Sequence, residues 1–417
     1  MSQLMEQILS RENMILAFKK VKANKGAGGI DNVSVDEIDE YLKENWDGIK
    51  ERIRKRKYKP QPVLRVEIPK PNGGVRKLGI PTVMDRIIEQ AIVQVITPIA
   101  EPYFSECSYG FRPGRRAQQA VIKLLEYLND GYTYLVDIDL EKFFDKVPQD
   151  KLMTLVGKII SDPDTESLIA KYLKAGVMVN GKYEETNQGT PQGGNLSPIL
   201  SNIMLNELDK ELEARGLHFV RYADDCIIAV GSSAAANRVM NTITKWIESK
   251  LGLKVNTEKT RTTKPTRLKY LGFGFVKMGG KWEARPHQDS VKKFERKLKN
   301  LTKRSWSISM DERIKSLNWV IRGWINYFRI GKMKKNMQRI DEHLRTRLRI
   351  VIWKQWKTRQ KRMWGLRKLG VPEWMASQSV GFYDHYQAVA KTTGLRRISK
   401  EILAKRGLIS CMDYYLN

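Results

Sequence analysis

Apolar residues recur along the chain in two rhythms, one of roughly 3.6 residues and one of two. Near the start, Met5, Ile8, Leu9, Leu16, Phe18 and Val21 share a loose helical face. A breaker-rich loop over 24–31 precedes a second predicted helix over 35–57. The pattern then switches to alternation over 63–81, around Asn72-Gly73-Gly74, which predicts a β-hairpin. Helices are predicted over 82–100, with Ile87, Ile88, Ala91, Ile92 and Val95 inward, and over 117–129. A buried strand over 134–140, one or two helices after 151, and a hairpin over 176–185 follow. Ser197 and Pro198 open a helix to about 214, whose stripe of Ile199, Ile203, Met204, Leu208 and Leu212 reads as core. Beyond it come strands over 218–222 and 226–230, a helix over 234–251, a strand and turn over 252–260, and a hairpin over 270–284. Three last helices are predicted over 290–301, 311–328 and 341–364. The mixture indicates an α+β core followed by an all-helical segment.

Carboxylates interrupt this pattern in two places. Asp224 and Asp225 stand at a tight turn between two apolar strands, where like charge and desolvation both count against them. Asp137 and Asp139 lie inside an apolar strand, and alternation puts both on one face. A carboxylate there is costly unless paired or metal-bound. Hard divalent cations such as Mg²⁺ suit such oxygen ligands. If the strands meet in one sheet, the acids form a site for two Mg²⁺ ions. A solvated Asp-Asp turn is the plain alternative, and spacing alone does not rank Asp137 against Asp139.

Several loops could serve that site. Lys70 and Arg76 flank the tip of the first hairpin and suit a triphosphate, although a solvated basic hairpin fits equally well. The basic, aromatic loop 108–116 offers Arg112 as a phosphate or template contact. The Gly- and Pro-rich stretch 188–198 exposes backbone to close approach by a ligand. Phe143 reads as core.

Net charge of +29 points to a polyanionic partner. The charge is clustered: residues 285–370 carry 26 Lys and Arg against 6 Asp and Glu. Seven of the ten tryptophans fall within 306–374, as expected if aromatics hold a small bundle while basic faces track a phosphate backbone. Cys107, Cys226 and Cys411 give neither a disulfide framework nor zinc spacing, which suggests a reducing compartment. No signal-peptide pattern or apolar run of ~18 residues is present, so no membrane partner is expected.

Five ordered stretches, IPKPNGGVRKLGIP, SYGFRP, DIDLEKFFD, QGTPQGGNLSP and YADD, are followed by LGLKVN, KYLGF and IRGWINYF. In this the chain resembles group II intron-encoded reverse transcriptases, or maturases, of the compact bacterial kind without an endonuclease domain. The resemblance implies a right-hand polymerase, with fingers, a palm of antiparallel sheet and helices, and an α-helical thumb. It implies an N-terminal extension over 1–60, fingers and palm over 61–284, a thumb or X domain over 285–370, and a C-terminal segment over 371–417. Asp139 and Asp224 would hold two Mg²⁺ ions, with Mn²⁺ as a substitute, together with the carbonyl of Leu140, and Asp225 would stand beside them. Phe144 would gate against a 2′-hydroxyl. Lys70, Arg76, Gln192, Gly193 and Lys259 would serve the nucleotide. Leu271, Gly272 and Phe273 would lie near the primer, with Arg112 on the template side. Arg345, Arg349 and Lys354 would bind RNA.

The implied activity is RNA-directed DNA synthesis on an RNA template–DNA primer duplex from dNTPs, during intron mobility into target DNA. Binding of the intron RNA to assist splicing goes with it. The setting would be the bacterial cytoplasm, at the nucleoid when acting on DNA, and homodimer formation stays open. Nothing after Gly370 resembles an HNH nuclease, so priming would need a nick or a replication fork. The alternative is an RNA-binding splicing cofactor without polymerase activity.

Overall fold

The computed structural model describes every residue except 70–72, 192, 383 and 384, and the chain parts between Lys264 and Pro265 into two units. The first begins with α1 (Gln3–Ile8), α2 (Arg11–Ala23) and α3 (Ile38–Arg54). Ser2 and Ser10 cap the first two by accepting from Met5 N and Asn13 N. Met5, Ile8, Leu9 and Val21 are buried, but Leu16 faces solvent and Ala17 takes the inward position instead. After β1 (Val63–Pro69) and β2 (Val75–Ile80) come α4 (Val83–Ala100) and α5 (Ala117–Asn129). Then follow β3 (Tyr134–Ile138), α6 (Phe143–Lys146), α7 (Gln149–Ile160), α8 (Pro163–Leu173), β4 (Val177–Val179) and β5 (Lys182–Glu184). The unit closes with α9 (Ser197–Ala214), β6 (His218–Tyr222), β7 (Asp225–Val230), α10 (Ser233–Trp246) and β8 (Arg261–Thr263).

Two sheets result. One runs β2-β1-β4-β5, antiparallel except between β1 and β4. The other runs β6-β7-β3-β8 and is antiparallel throughout. Strict alternation gives this second sheet an apolar face of Val136, Ile138, Phe219, Cys226, Ile228 and Val230, which joins one core with α4, α7, α9 and α10. The strand expected within 252–260 is reduced to one bridge, Leu140 to Val255, and the edge strand β8 forms just after it.

The second unit opens with a hairpin, β9 (Phe273–Met278) and β10 (Lys281–Pro286), and then α11 (Gln288–Leu301) and α12 (Met310–Phe328). The single helix expected over 341–364 is two, α13 (Lys334–Gln355) and α14 (Arg359–Lys368). The chain breaks after α13, and Thr358 caps the second helix by accepting from Lys361 N. An aromatic seam holds the hairpin to the helices. Phe294 stacks on Trp324 at 4.5 Å, Trp324 meets Phe328 at 4.6 Å, and Phe328 meets Phe273 at 4.8 Å. The tryptophans are divided, however: Trp353 is wholly buried, whereas Trp319, Trp364 and Trp374 are 81%, 61% and 67% exposed.

The segment after 370, in which the sequence shows no readable chemistry, folds as α15 (Glu373–Gly381), α16 (Tyr386–Val389), α17 (Thr393–Arg396), α18 (Lys400–Lys405) and α19 (Cys411–Leu416). Asp341 of α13 ties down the last of these, accepting from Ser410 Oγ, Cys411 N and Met412 N at 2.8, 2.8 and 2.9 Å. Among the described residues no helix is long and apolar enough to cross a membrane. Asp341→Ala strands two backbone donors at a helix start. It should cost the second unit about 1–2 kcal/mol and expose the C-terminus to limited proteolysis, read as a lower unfolding midpoint with early loss of the last residues.

Candidate active site

The pairing of β3 with β7 sets Asp137 opposite Ile227 and Ile138 opposite Cys226. Continued by one residue, that register puts Asp139 opposite Asp225, and opposed residues share a face. Tyr222 pairs with Asp225 across β6 and β7, so the turn consists of Ala223 and Asp224 alone. Asp225 is therefore the first residue of a strand, not part of the turn as its sequence position suggests. The register also separates Asp137 from Asp139. Asp139 stands at the tip beside Asp225, and Asp137 lies one pleat further in.

The electrostatics follow from this crowding. Burial, then the charges of Asp224, Asp137 and Asp139, push Asp225 up to about 6. Asp224 is raised by burial and by Asp139, and the cations of Arg76 and Arg221 pull it back. Asp137 is raised by burial and relieved by Arg261, whose Nε lies 3.7 Å away. Lys259 Nζ stands 3.3 Å from both oxygens of Asp139. Among the described residues no three acidic, His or Cys side chains stand in metal-ligating geometry. Asp139 faces the Lys259 ammonium. The donor set nonetheless fits a hard divalent ion: carboxylates gathered at one end of the sheet, with Asp224 and Asp225 raised by burial and by neighbouring acids.

The backbone beside the acids is firmly held. Asp139 N donates to Thr260 Oγ1. Asn256 N donates to Asp139 O at 2.8 Å and Glu141 N to Lys254 O at 2.8 Å, so neither of these bonds uses the Leu140 carbonyl. Phe143 is 3% exposed and packs edge-on against Phe144, which is half-buried. Phe144 O accepts from Thr190 N at 2.7 Å, and Gly189 N donates to Val147 O at 2.7 Å. The Gly- and Pro-rich loop thus locks onto the turn that presents Phe144. Gly193, at φ +125°, lies against the backbone of Gly79 in β2, where a Cβ would collide with the Gly79 carbonyl. Buried Glu89 accepts from Asn195 N at 2.5 Å and anchors the far end of the loop. Burial raises Glu89 to about 8.

Other expected residues fall elsewhere. Lys70 and Gln192 lie outside the described residues. Arg112, expected as a phosphate or template contact, is buried and points inward. It pairs with Glu101 at 2.8 Å and donates to the Ser105 and Ser108 carbonyls. In the second unit, Leu271 and Gly272 take left-handed backbone, at φ +49° and +82°. Tyr327 Oη donates to Leu271 O at 2.9 Å, and Ser290 Oγ donates to Gly272 O at 2.8 Å. Phe273 belongs to the aromatic seam. Arg349 donates to the carbonyls of Ile398 and Arg396, so its guanidinium is engaged within the unit. Arg345 is half-buried and Lys354 exposed.

Residues 68–275 match the model of the reverse transcriptases (RNA-dependent DNA polymerases). Residues 291–370 match the maturase-specific domain of group II introns. Protein YkfC of Escherichia coli (strain K12) is 31% identical over 317 residues, covering 66% of this chain and 82% of its own. The group II intron-encoded protein LtrA of Lactococcus lactis subsp. cremoris is 29% identical over 376 residues, covering 70% and 62%. The putative COX1/OXI3 intron 2 protein of Saccharomyces cerevisiae is 29% identical over 337 residues, covering 66% and 39%. The chain belongs to the group II intron-encoded reverse transcriptase and maturase family, whose polymerase class depends on divalent metal.

The raised Asp225 carboxyl has a testable sign. Its folded value of about 6 exceeds the ordinary Asp value. Ionised Asp225 therefore costs stability above pH 6, and the cost disappears as pH falls. In EDTA at pH 7.5, Asp225→Asn should unfold at a higher temperature than wild type, and the gap should narrow as pH is lowered through 6. Equal midpoints at pH 7.5 would contradict the crowding described.

Proposed function

We propose that the chain is an RNA-directed DNA polymerase that copies RNA by two-metal nucleotidyl transfer and also binds its intron RNA as a maturase. One observation carries this reading: the β3–β7 register, which pairs Ile138 with Cys226 and, continued by one residue, sets Asp139 opposite Asp225, with Asp224 at the adjoining turn. Asp139, Asp224 and the Leu140 carbonyl would hold two Mg²⁺ ions, with Asp225 beside them. When bound, such ions activate a primer 3′-hydroxyl and neutralise the leaving pyrophosphate. Arg76 lies near enough to offset part of the rise at Asp224 and would meet a triphosphate. Lys259 would accompany the pyrophosphate, and the loop bearing Gly193 would border the nucleotide. Phe144, fixed through its carbonyl, would stand against a 2′-hydroxyl. Residues 61–284 would supply fingers and palm, and 285–370 the thumb. The ligands would be an RNA template–DNA primer duplex, dNTPs, target DNA and the intron RNA.

Primer extension on an RNA template with Mg²⁺ and dNTPs tests the polymerase. Asp224→Ala should lower the rate by about a thousand-fold or more, with duplex affinity nearly unchanged. If the wild type itself extends nothing, the RNA-binding cofactor reading takes its place. A second test addresses the basic helices. Lys354, Lys357, Lys361 and Lys368 are exposed. Neutralising all four should reduce the salt slope of RNA binding by about two or more, at about 0.7–0.9 per lost phosphate contact. Arg349→Gln should lower the unfolding midpoint and leave the slope nearly unchanged. An unaltered slope in the quadruple variant would contradict RNA binding by this face.

A further inference from the structure

Beneath the turn that carries Asp224 lies a buried ion pair. Arg221 of β6 and Asp209 of α9 are 1% and 0% exposed in their side chains. Nε and Nη2 of the guanidinium meet the two carboxylate oxygens of Asp209 at 2.7 and 2.5 Å. Burial raises Asp209, and the charge and hydrogen bonds of Arg221 pull it back. Nη1 points the other way. It donates to Ala223 O at 2.9 Å and to Asn202 Oδ1 at 3.1 Å, and Asn202 Nδ2 donates in turn to Gly110 O at 2.9 Å.

Burying both charges is costly, and apolar residues of similar volume can replace such a pair without loss of stability. Stability alone therefore does not explain why an arginine stands in an apolar strand. The turn supplies a reason. Ala223 has φ +57°, which a non-glycine residue keeps only where its surroundings impose it. Arg221 holds the carbonyl side of Ala223. On the other side Gly110 presses so close that a Cβ there would collide with Ala223 N. Arg221 also fastens the Gly110 loop through its own backbone. Its N–H donates to Cys107 O at 2.9 Å, and its carbonyl accepts from Tyr109 N at 2.8 Å. One residue thus grips the turn from both flanks, and the residue after Ala223 is Asp224.

We propose that Arg221, braced by Asp209, is a positioning residue that sets the direction of the Asp224 carboxylate toward the metal. This rests on the reading of Asp224 as a metal-holding group. The planar fork matters, because a lysine ammonium could not keep Asp209 in bidentate contact and reach Ala223 O as well.

The test uses the full chain bound to an RNA template–DNA primer duplex. The double variant R221M/D209L removes both charges, so neither is left unpaired. Three quantities are read: kcat for dNTP addition, KM for dNTP, and Mn²⁺ affinity on a dideoxy-terminated primer with the next dNTP, by electron paramagnetic resonance. With positioning lost, kcat should fall about ten-fold or more, KM should stay within about three-fold, and Mn²⁺ should bind about five-fold or more weakly. R221K, which keeps the charge, should lie between. A purely structural pair would lower the unfolding midpoint while folded protein kept wild-type kcat and Mn²⁺ affinity, and that result overturns the proposal. If the double variant does not fold, R221K decides by the same readings, and wild-type values there overturn it too. A wild type that extends nothing defeats the polymerase reading instead, and the Mn²⁺ comparison still reports on the turn.

Discussion

Three carboxylates on one sheet face, with a fourth at the adjoining turn, are the constraint around which the first unit is arranged. Repulsion among Asp137, Asp139, Asp224 and Asp225 would spread them if the backbone allowed it. The β3–β7 register and the two-residue turn do not allow it. Cations absorb part of the strain from the outer side, with Lys259 at Asp139 and Arg261 at Asp137. Buried Arg221 does so at Asp224. At the tip Asp139 is met by the Lys259 ammonium at 3.3 Å, and further in Asp137 is met by the Arg261 guanidinium at 3.7 Å.

Glycine does a specific job around this tip. Gly110 lets one loop reach the turn at Ala223, and Gly193 lets another reach the backbone of β2. Gly189, at φ +87°, lies against the carbonyls of Phe144 and Asp145. Each is a place where one backbone touches another and no side chain fits. Elements far apart in the chain are drawn together at these points, and the half-buried ring of Phe144 is presented with its main chain pinned.

The second unit divides its aromatic and basic residues between two tasks. Trp324, Phe294, Phe328 and Phe273 build the seam that stiffens hairpin and helices. Arg313, Arg347 and Arg349 donate to backbone carbonyls at helix ends and loops. The exposed lysines of α13 and α14, with Trp364 beside Lys368, remain on the surface. An arginine with five donors in a fixed plane can satisfy several carbonyls at once, whereas a lysine is better left in water.

Much of this was legible in the residues alone. Period-two and helical patterns locate most elements within a few positions, since one-faced burial imposes its period on the sequence. Acids inside or beside apolar strands mark the candidate site, because burial without a partner is so unfavourable. The sequence could not rank Asp137 against Asp139, a matter of register between strands some ninety residues apart. It could not show that Arg112 turns inward, that Arg349 is engaged, or that Arg221 meets Asp209. A charged side chain looks the same in sequence whether its partner is water, phosphate or a distant carbonyl. Only the tertiary fold decides which of these stands within about 3 Å.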